Sequence, residues 1–355
     1  MDATVTPFDT APQQAPRPLP LFLEMLRNQT EDAPDRRVRA LAGLRAYQAA
    51  PRPPRAPAGE IVATAGRATL RSYAATGRPV VFVPSLINPP YILDLSPDAS
   101  LLRWLATQGF APLLVDWGQP RPADRAQDID SHIEQLLLPL LRSIGEPPLL
   151  VGYCLGGTIA LAAAALTPVA GVALIAAPWR FAGFGNAARA DIAGLWSDAQ
   201  PACDQLGLVP IEVLQSGFWR LDPARTIGKF EAFADIAPDS DAARRFVALE
   251  DWANDGAPIA YAAGRQMFDD LFDADLPGTR RWRIGDTLVD PHKLASPLVE
   301  FVSANDRIVP AASAIGLPDA RILAAGHVGM IVGSSARAQL WQPLADWLTA
   351  IPSAR

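Results

Sequence analysis

The segment Leu149-Leu150-Val151-Gly152-Tyr153-Cys154-Leu155-Gly156-Gly157-Thr158 constrains the chain more tightly than any other. A short apolar run of strand length leads into Gly-x-Cys-x-Gly-Gly, and an alanine-rich helical stretch follows at once. A strand that turns directly into a helix strains the residue at the hinge and brings strand and helix close together. Side chains at 152 and 156 would clash there, which explains glycine at both positions. The hinge residue is Cys154. It stands right ahead of a helix N-terminus, whose dipole favours a thiolate. The pattern is the Gly-x-Ser-x-Gly nucleophile turn with cysteine in place of serine. The backbone N–H of Leu155 is then expected to be one oxyanion donor. The plainer reading is a buried structural cysteine beside a tight turn; the strand before and the helix after argue against it.

The flanking sequence repeats the alternation. Strands are expected at Ala68–Tyr73 (an edge), Val80–Pro84, Ala111–Asp116, Leu149–Gly152, Val169–Ala177, Leu298–Ser303 and Ala320–Ala324. Helices are expected at Ser100–Gln108, Ile129–Ile144, Gly156–Ala165 and Arg337–Leu348, with a helix start at Ala311–Ala314. Alternating strands and helices mean an α/β protein, a mostly parallel sheet flanked by helices. Between Trp179 and Leu298 the rhythm breaks into amphipathic helices rich in Trp, Phe, Asp and Arg. That stretch is too long for a loop and reads as a helical cap inserted before the acid-bearing strand. The expected organisation is an N-terminal tail with short helices over 1–59, a core over 60–178 and 298–355, and a cap over 179–297. The uncharged run from Ile159 to Trp179 has the length of a membrane span. Thr167, Pro168 and Gly171 interrupt it, so it reads as a buried helix followed by a buried strand.

A cysteine nucleophile needs a base and an acid, and the order expected after this turn is nucleophile, acid, histidine. Of His132, His292 and His327, only the last two follow Cys154. His327 sits in Ala325-Gly326-His327-Val328-Gly329, a glycine-flanked loop after the last strand. His292 lies in the polar turn Asp290-Pro291-His292-Lys293 and reads as exposed; His132 reads as solvated on a polar helix face. Asp306 follows the strand Leu298–Ser303 and is the expected acid, to hold the imidazole in one tautomer and stabilise its cation. Glu300, inside that strand, is the weaker alternative. Cys203 lacks the glycine turn and reads as a small packed residue. Trp179, Phe181 and Trp252, with Phe184, Phe218 and Trp219, are aromatic surface for a substrate channel or else the cap's own core. Arg280, Arg281 and Arg283 are a candidate phosphate contact or a solvated turn.

Net charge is −6, from 31 Lys and Arg against 37 Asp and Glu, so no overall electrostatic case exists for nucleic acid or an anionic membrane. Two cysteines cannot make a disulfide framework, and a reducing cytoplasm fits them best. The N-terminus lacks a basic start followed by an apolar run, so no signal peptide is expected. No metal-ligand cluster, phosphate loop or dinucleotide fingerprint is apparent, and no cofactor is expected.

Taken together, these segments resemble the polyhydroxyalkanoate synthases, in their short form, of the α/β-hydrolase superfamily. Val83-Pro84-Ser85-Leu86-Ile87-Asn88-Pro89-Pro90-Tyr91-Ile92-Leu93-Asp94-Leu95 and Val115-Asp116-Trp117-Gly118 are similar to that family's segments after its early core strands. The Cys154 box, Asn305-Asp306-Arg307-Ile308-Val309-Pro310 and Gly326-His327-Val328-Gly329 resemble its nucleophile, acid and histidine loops. The likeness runs from about Val80 to the C-terminus, with gaps in the cap. It implies the α/β-hydrolase fold, polymerisation of 3-hydroxyacyl-CoA with release of CoA, and a thioester on Cys154. It also implies that His327 activates the thiol and the incoming hydroxyl, that Asp306 supports His327, and that an amide near Leu86 completes the oxyanion hole. The implied partners are the hydroxyacyl-CoA substrate, a separate synthase subunit or a second copy of the chain, and the surface of a polyester granule. The chain lacks the long N-terminal domain of the larger synthases, and its cap, around Phe246–Gly256, matches only loosely.

Chemistry gives an independent reason to favour acyl transfer. Thiol attack on an acyl-CoA exchanges one thioester for another, so the enzyme-bound acyl group stays activated for a second attack. Two other readings stay open: an esterase, thioesterase or polyester depolymerase using the same residues, and a non-catalytic granule-associated protein.

Overall fold

The structure is a computed structural model, and it describes residues 15–52 and 55–352. The expectation of no signal peptide falls largely on residues outside that range, as does part of the proline-rich segment 51–57. The chain forms two compact units. One comprises Met1–Arg55 and Glu212–Gly256, the other Ala56–Ile211 and Ala257–Arg355.

The larger unit is built on one eight-stranded sheet. Its strands are β1 (Glu60–Ala65), β2 (Ala68–Ser72), β3 (Arg78–Val83), β4 (Phe110–Asp116), β5 (Leu149–Tyr153), β6 (Gly171–Ile175), β7 (Leu298–Ser303) and β8 (Ala320–Leu323). Their spatial order is β1-β2-β4-β3-β5-β6-β7-β8. The first two join antiparallel, and every pairing from β4 to β8 is parallel. Strands covered on both faces need apolar residues throughout rather than alternation, and every residue of β5 and β6 is buried. The register pairs Val83 with Gly152 and Tyr153 with Ile175, which aligns the C-terminal ends of β3, β5 and β6. In an open parallel sheet this edge is where ligands bind.

The expected strands are present. β1 has no counterpart among them, because its side chains are mostly exposed and carry no burial pattern. The uncharged run divides into the helix Leu155–Leu166 and strand β6. Among the described residues no helix is long and apolar enough to cross a membrane. The helix expected over Ile129–Ile144 is instead regular at Ile129–Ser131 and Leu138–Arg142, with wider i→i+5 turns over His132–Leu137. Pro139 has no N–H for the carbonyl one turn back, and the wider turns re-route the ladder. At Ala311 only the single turn Ala311–Ser313 forms.

The smaller unit is helical: Leu19–Gln29, Pro34–Ala49, Ile211–Leu221, Pro223–Phe233 and Asp241–Asn254. Phe22, Met25, Leu26, Leu44 and Tyr47 from the N-terminal helices bury against Trp219, Ile227, Phe230, Phe233 and Val247. At Gly43 a Cβ would lie 1.8 Å from the Phe230 carbonyl oxygen, so glycine there permits the close crossing of two helices. Tyr47 donates to Asp251 at 2.6 Å, and Arg36 pairs with Glu231 at 2.8 Å. The compact units therefore cut the chain elsewhere than the expected tail, core and cap. Residues 212–256 share a core with the N-terminal helices, whereas 179–211 and 257–297 belong with the sheet. Two ties within the sheet unit show why: Trp179 N–H donates to Ser313 at 2.8 Å, and Phe181 N–H donates to Asp275 at 2.8 Å.

Candidate active site

Cys154 ends β5 and begins the helix Leu155–Leu166 with φ 56° and ψ −135°. A non-glycine residue there costs on the order of 1–3 kcal/mol and persists only where its surroundings over-determine it. They do so here. The Cys154 N–H donates to the Ile175 carbonyl at 3.0 Å, which ties the turn to β6. A Cβ on Gly152 would lie 2.3 Å from the Cα of Gly157, and one on Gly156 would lie 2.1 Å from the Val83 carbonyl oxygen. The thiol is part-exposed. Leu155 is the first residue of the helix, whose opening amides have no acceptor within the helix.

The close approach at Gly156 brings Val83 and Pro84, the end of β3, against this helix. Leu86 follows in a half-buried turn in which Ser85 Oγ accepts from Ile87 N–H at 3.2 Å. Trp117, just past β4, fastens the same segment by donating its indole N–H to the Pro84 carbonyl at 3.1 Å.

Asp306 and His327 lie on the loops after β7 and β8, adjacent because those strands pair in parallel from Glu300–Ala320 to Ser303–Leu323. His327 Nδ1 stands 2.6 Å from Asp306 Oδ2. The other carboxylate oxygen accepts from the N–H groups of Ile308 at 2.8 Å and Val309 at 2.9 Å. The Asp306 side chain has no exposure to solvent and that of His327 only 7%. Ser303 Oγ donates to the Ala325 carbonyl and Asn305 to that of Ala324, so the two loops are also tied directly.

Cys154 bears on the same imidazole and favours its charged form. With Nδ1 facing Asp306, Nε2 is the ring nitrogen left for a second partner. Burial of His327 opposes its charged form. Attraction to a charge at Cys154, the hydrogen bonds from Asp306 and Cys154, and the Asp306 charge together outweigh it, raising the imidazole pKa to about 10. A thiol, an imidazole and a carboxylate, from Cys154, His327 and Asp306, are thus grouped at the C-terminal edge of the sheet. One contact was not anticipated. The ring of Tyr153 stacks on the imidazole, with centroids 5.0 Å apart and planes at 26°.

Other candidates are placed elsewhere. Glu300 is 2% exposed, and its carboxylate accepts from Ile315, Gly316 and Leu317 N–H at 2.7, 2.9 and 2.7 Å, so it fastens a loop. His292 is exposed. His132 is not solvated as expected but 1% exposed, beneath Trp117, between the Asp128 carbonyl at Nδ1 and the Arg67 guanidinium at Nε2, each at 2.6 Å. Burial lowers its pKa to about 4, keeping the ring neutral, and Arg67 adds to the effect. The i→i+5 turns carry this side chain inward, which polar neighbours in sequence conceal.

Cys203 is 1% exposed, and burial raises its thiol pKa. Of the aromatic residues expected to face substrate, Trp179, Phe181, Trp219 and Trp252 are buried, and Phe184 and Phe218 are half-buried. Trp179 lies beside Trp282, and Phe181 is enclosed by Phe184 and Phe272. Trp252 belongs to the helical unit and is 6% exposed. Burial of large rings stabilises such packing. Arg280, Arg281 and Arg283 are exposed.

The model of the Alpha/beta hydrolase family matches residues 80–340. The Poly(3-hydroxyalkanoate) polymerase subunit PhaC of Haloferax mediterranei is 29% identical over 290 residues, 76% of this chain and 58% of that one. The subunit of the same name from Synechocystis sp. is 29% identical over 292 residues, 76% of this chain and 77% of that one. The one from Allochromatium vinosum is 28% identical over 286 residues, 76% of this chain and 80% of that one. The match thus spans under two thirds of the length of the Haloferax relative, at 58%, and of one from Haloarcula marismortui, at 60%.

Proposed function

The chain belongs to the Alpha/beta hydrolase family and, within it, groups with the poly(3-hydroxyalkanoate) polymerases, and from that premise we propose that it is an acyltransferase. It joins 3-hydroxyacyl-CoA units into polyester and releases CoA, through a thioester on Cys154. The observation that carries this reading is the cysteine itself, on the positive-φ turn, acting on the charge of a histidine whose Nδ1 faces Asp306.

His327 takes the thiol proton through Nε2. The Cys154 sulfur attacks the acyl carbonyl carbon; a C–S bond forms, and the carbonyl electron pair moves onto oxygen. The Leu155 N–H and an amide near Leu86 stabilise that oxyanion. Collapse breaks the bond to the CoA sulfur, and the departing thiolate takes the proton from the imidazolium. The acyl group now sits on Cys154. A hydroxyl of a second acyl unit gives its proton to His327 and attacks the thioester. An ester bond forms, the Cys154 sulfur leaves, and it recovers the proton. Asp306 stays ionised throughout, holding the imidazole and balancing its charge.

The named relatives are polymerase subunits, so a second type of subunit is a proposed partner, alongside a second copy of this chain and the polyester surface. The deciding test is CoA release from 3-hydroxybutyryl-CoA, with the product recovered, for wild type and Cys154→Ala. Release with insoluble polyester, lost in the variant, is expected. Release with only free 3-hydroxybutyrate would make the chain a thioesterase and overturn polymerisation. No release from wild type, even with a polymerase partner subunit added, would overturn the acyltransferase reading.

A further inference from the structure

Tyr153 precedes the nucleophile and is 3% exposed. Its ring lies over the His327 imidazole, with centroids 5.0 Å apart and planes at 26°. Its hydroxyl donates to the His327 backbone carbonyl at 3.3 Å. One residue therefore holds both the ring of the base and the chain that carries it. Asp306 fixes a single atom of that ring, Nδ1, and one hydrogen bond leaves a ring free to tilt about its anchor. A stacked plane removes that freedom. The backbone makes the arrangement possible: Tyr153 keeps the strand register opposite Ile175, and Cys154 then turns away at φ 56°. Two adjacent residues thus act on one imidazole: Tyr153 lies on its face, and Cys154 bears on its charge.

We infer that Tyr153 is a positioning residue, which locks the plane of the His327 ring so that Nε2 stays aimed at the Cys154 sulfur. The separation of nucleophile and base is then set across a single peptide bond and does not depend on the loop after β8 alone. The electron-rich face of the phenol also favours the cationic ring beneath it. The phenol itself stays protonated and able to donate. Burial pushes its pKa well above the ordinary value, and the charges of Cys154 and Asp306 push the same way.

The inference rests on the Cys154–His327 pair of the proposed mechanism but needs no acyl substrate, so failure to make polyester leaves it standing. The test is the rate of Cys154 alkylation by iodoacetamide across pH in wild type, Tyr153→Phe, Tyr153→Leu and His327→Ala. Tyr153→Leu is expected to slow alkylation near neutral pH about tenfold and to move the pH profile toward that of His327→Ala, whereas Tyr153→Phe keeps the profile and a rate within about threefold. A folded Tyr153→Leu with the wild-type rate and profile would overturn the inference, and so would a Tyr153→Phe that behaves like Tyr153→Leu. An unaltered His327→Ala would remove the pair itself and the mechanism with it. Where Tyr153→Leu does not fold, the wild-type protein decides the matter. Nuclear Overhauser contacts between the ring protons of Tyr153 and His327 support the role, and their absence overturns it.

Discussion

Asp306 grips His327 with one carboxylate oxygen and its own loop with the other. Oδ2 lies 2.6 Å from His327 Nδ1, while Oδ1 accepts from the amides of Ile308 and Val309. The acid is anchored before it anchors the base. Glu300, six positions earlier, spends its carboxylate on the amides of Ile315, Gly316 and Leu317.

The two carboxylates should therefore fail in different ways. Asp306→Asn is expected to keep the fold and lower CoA release by about 10²–10⁴-fold, because the imidazole loses its tautomer and charge partner. Glu300→Gln is expected to lose about 2–4 kcal/mol of stability through weakened charge-assisted bonds, with the rate of the surviving folded fraction unchanged. Urea unfolding beside initial rates separates them, and a Glu300→Gln protein that is stable but inactive would reverse the assignment.

His327 titrates far above the usual value of 6.5, at about 10. A histidine raised in this way contributes stability that is complete below pH 6.5 and disappears as pH climbs through about 10. Burial, the largest influence, pulls the other way, and Cys154 supplies the leading attraction against it. Cys154→Ala should bring the titration down by several units, as followed by ring NMR of the chain's three histidines. A midpoint that stays near 10 in Cys154→Ala would sink the pairing.

His132 has the opposite sign. Its folded pKa of about 4 lies below the unfolded 6.5, so the unfolded chain binds the proton first and stability falls as pH drops between those values. At pH 5 the loss amounts to about 2 kcal/mol. Urea midpoints at pH 7 and pH 5 should differ accordingly for wild type and much less for His132→Gln; equal pH sensitivity in both would refute the account. The groups facing the ring are Arg67, Trp117 and the Asp128 carbonyl, with the charges of Asp124 and Asp128 nearby.

Cys154 is part-exposed and Cys203 is buried, so a thiol reagent should distinguish them. Mass spectrometry after brief iodoacetamide treatment should find Cys154 modified at least about tenfold faster. Gly156→Ala should abolish that difference and destabilise the sheet unit by about 2–4 kcal/mol, since its Cβ would land 2.1 Å from the Val83 carbonyl oxygen. A Gly156→Ala protein with wild-type stability would show that β3 and the helix can separate.

Much of this site is legible from spacing alone. The glycines at 152 and 156 imply the turn, the turn makes Cys154 the hinge, and the parallel sheet puts Asp306 and His327 on neighbouring loops. Tyr153 lies inside the same motif, yet its contact with His327 depends on two loops meeting in space, which no local pattern records. Edge strand β1 escapes notice because mostly exposed side chains leave no periodicity. The helical unit escapes because its contacts are distant: Arg36 meets Glu231 across 195 positions, and Gly43 makes room for the Phe230 carbonyl. Phe181 and Trp179 read equally as channel or core, since a sequence shows that a ring is large but not which way it faces.

The pairing of Arg36 with Glu231 also sets a schedule for biosynthesis. The N-terminal helices leave the ribosome well before the segment that covers Phe22, Leu26 and Leu44. With partners 195 residues apart and translation at about 5–20 residues per second, those side chains wait about 10–40 seconds for their core. Throughout that interval the nascent chain carries these apolar side chains without the residues that bury them in the folded unit.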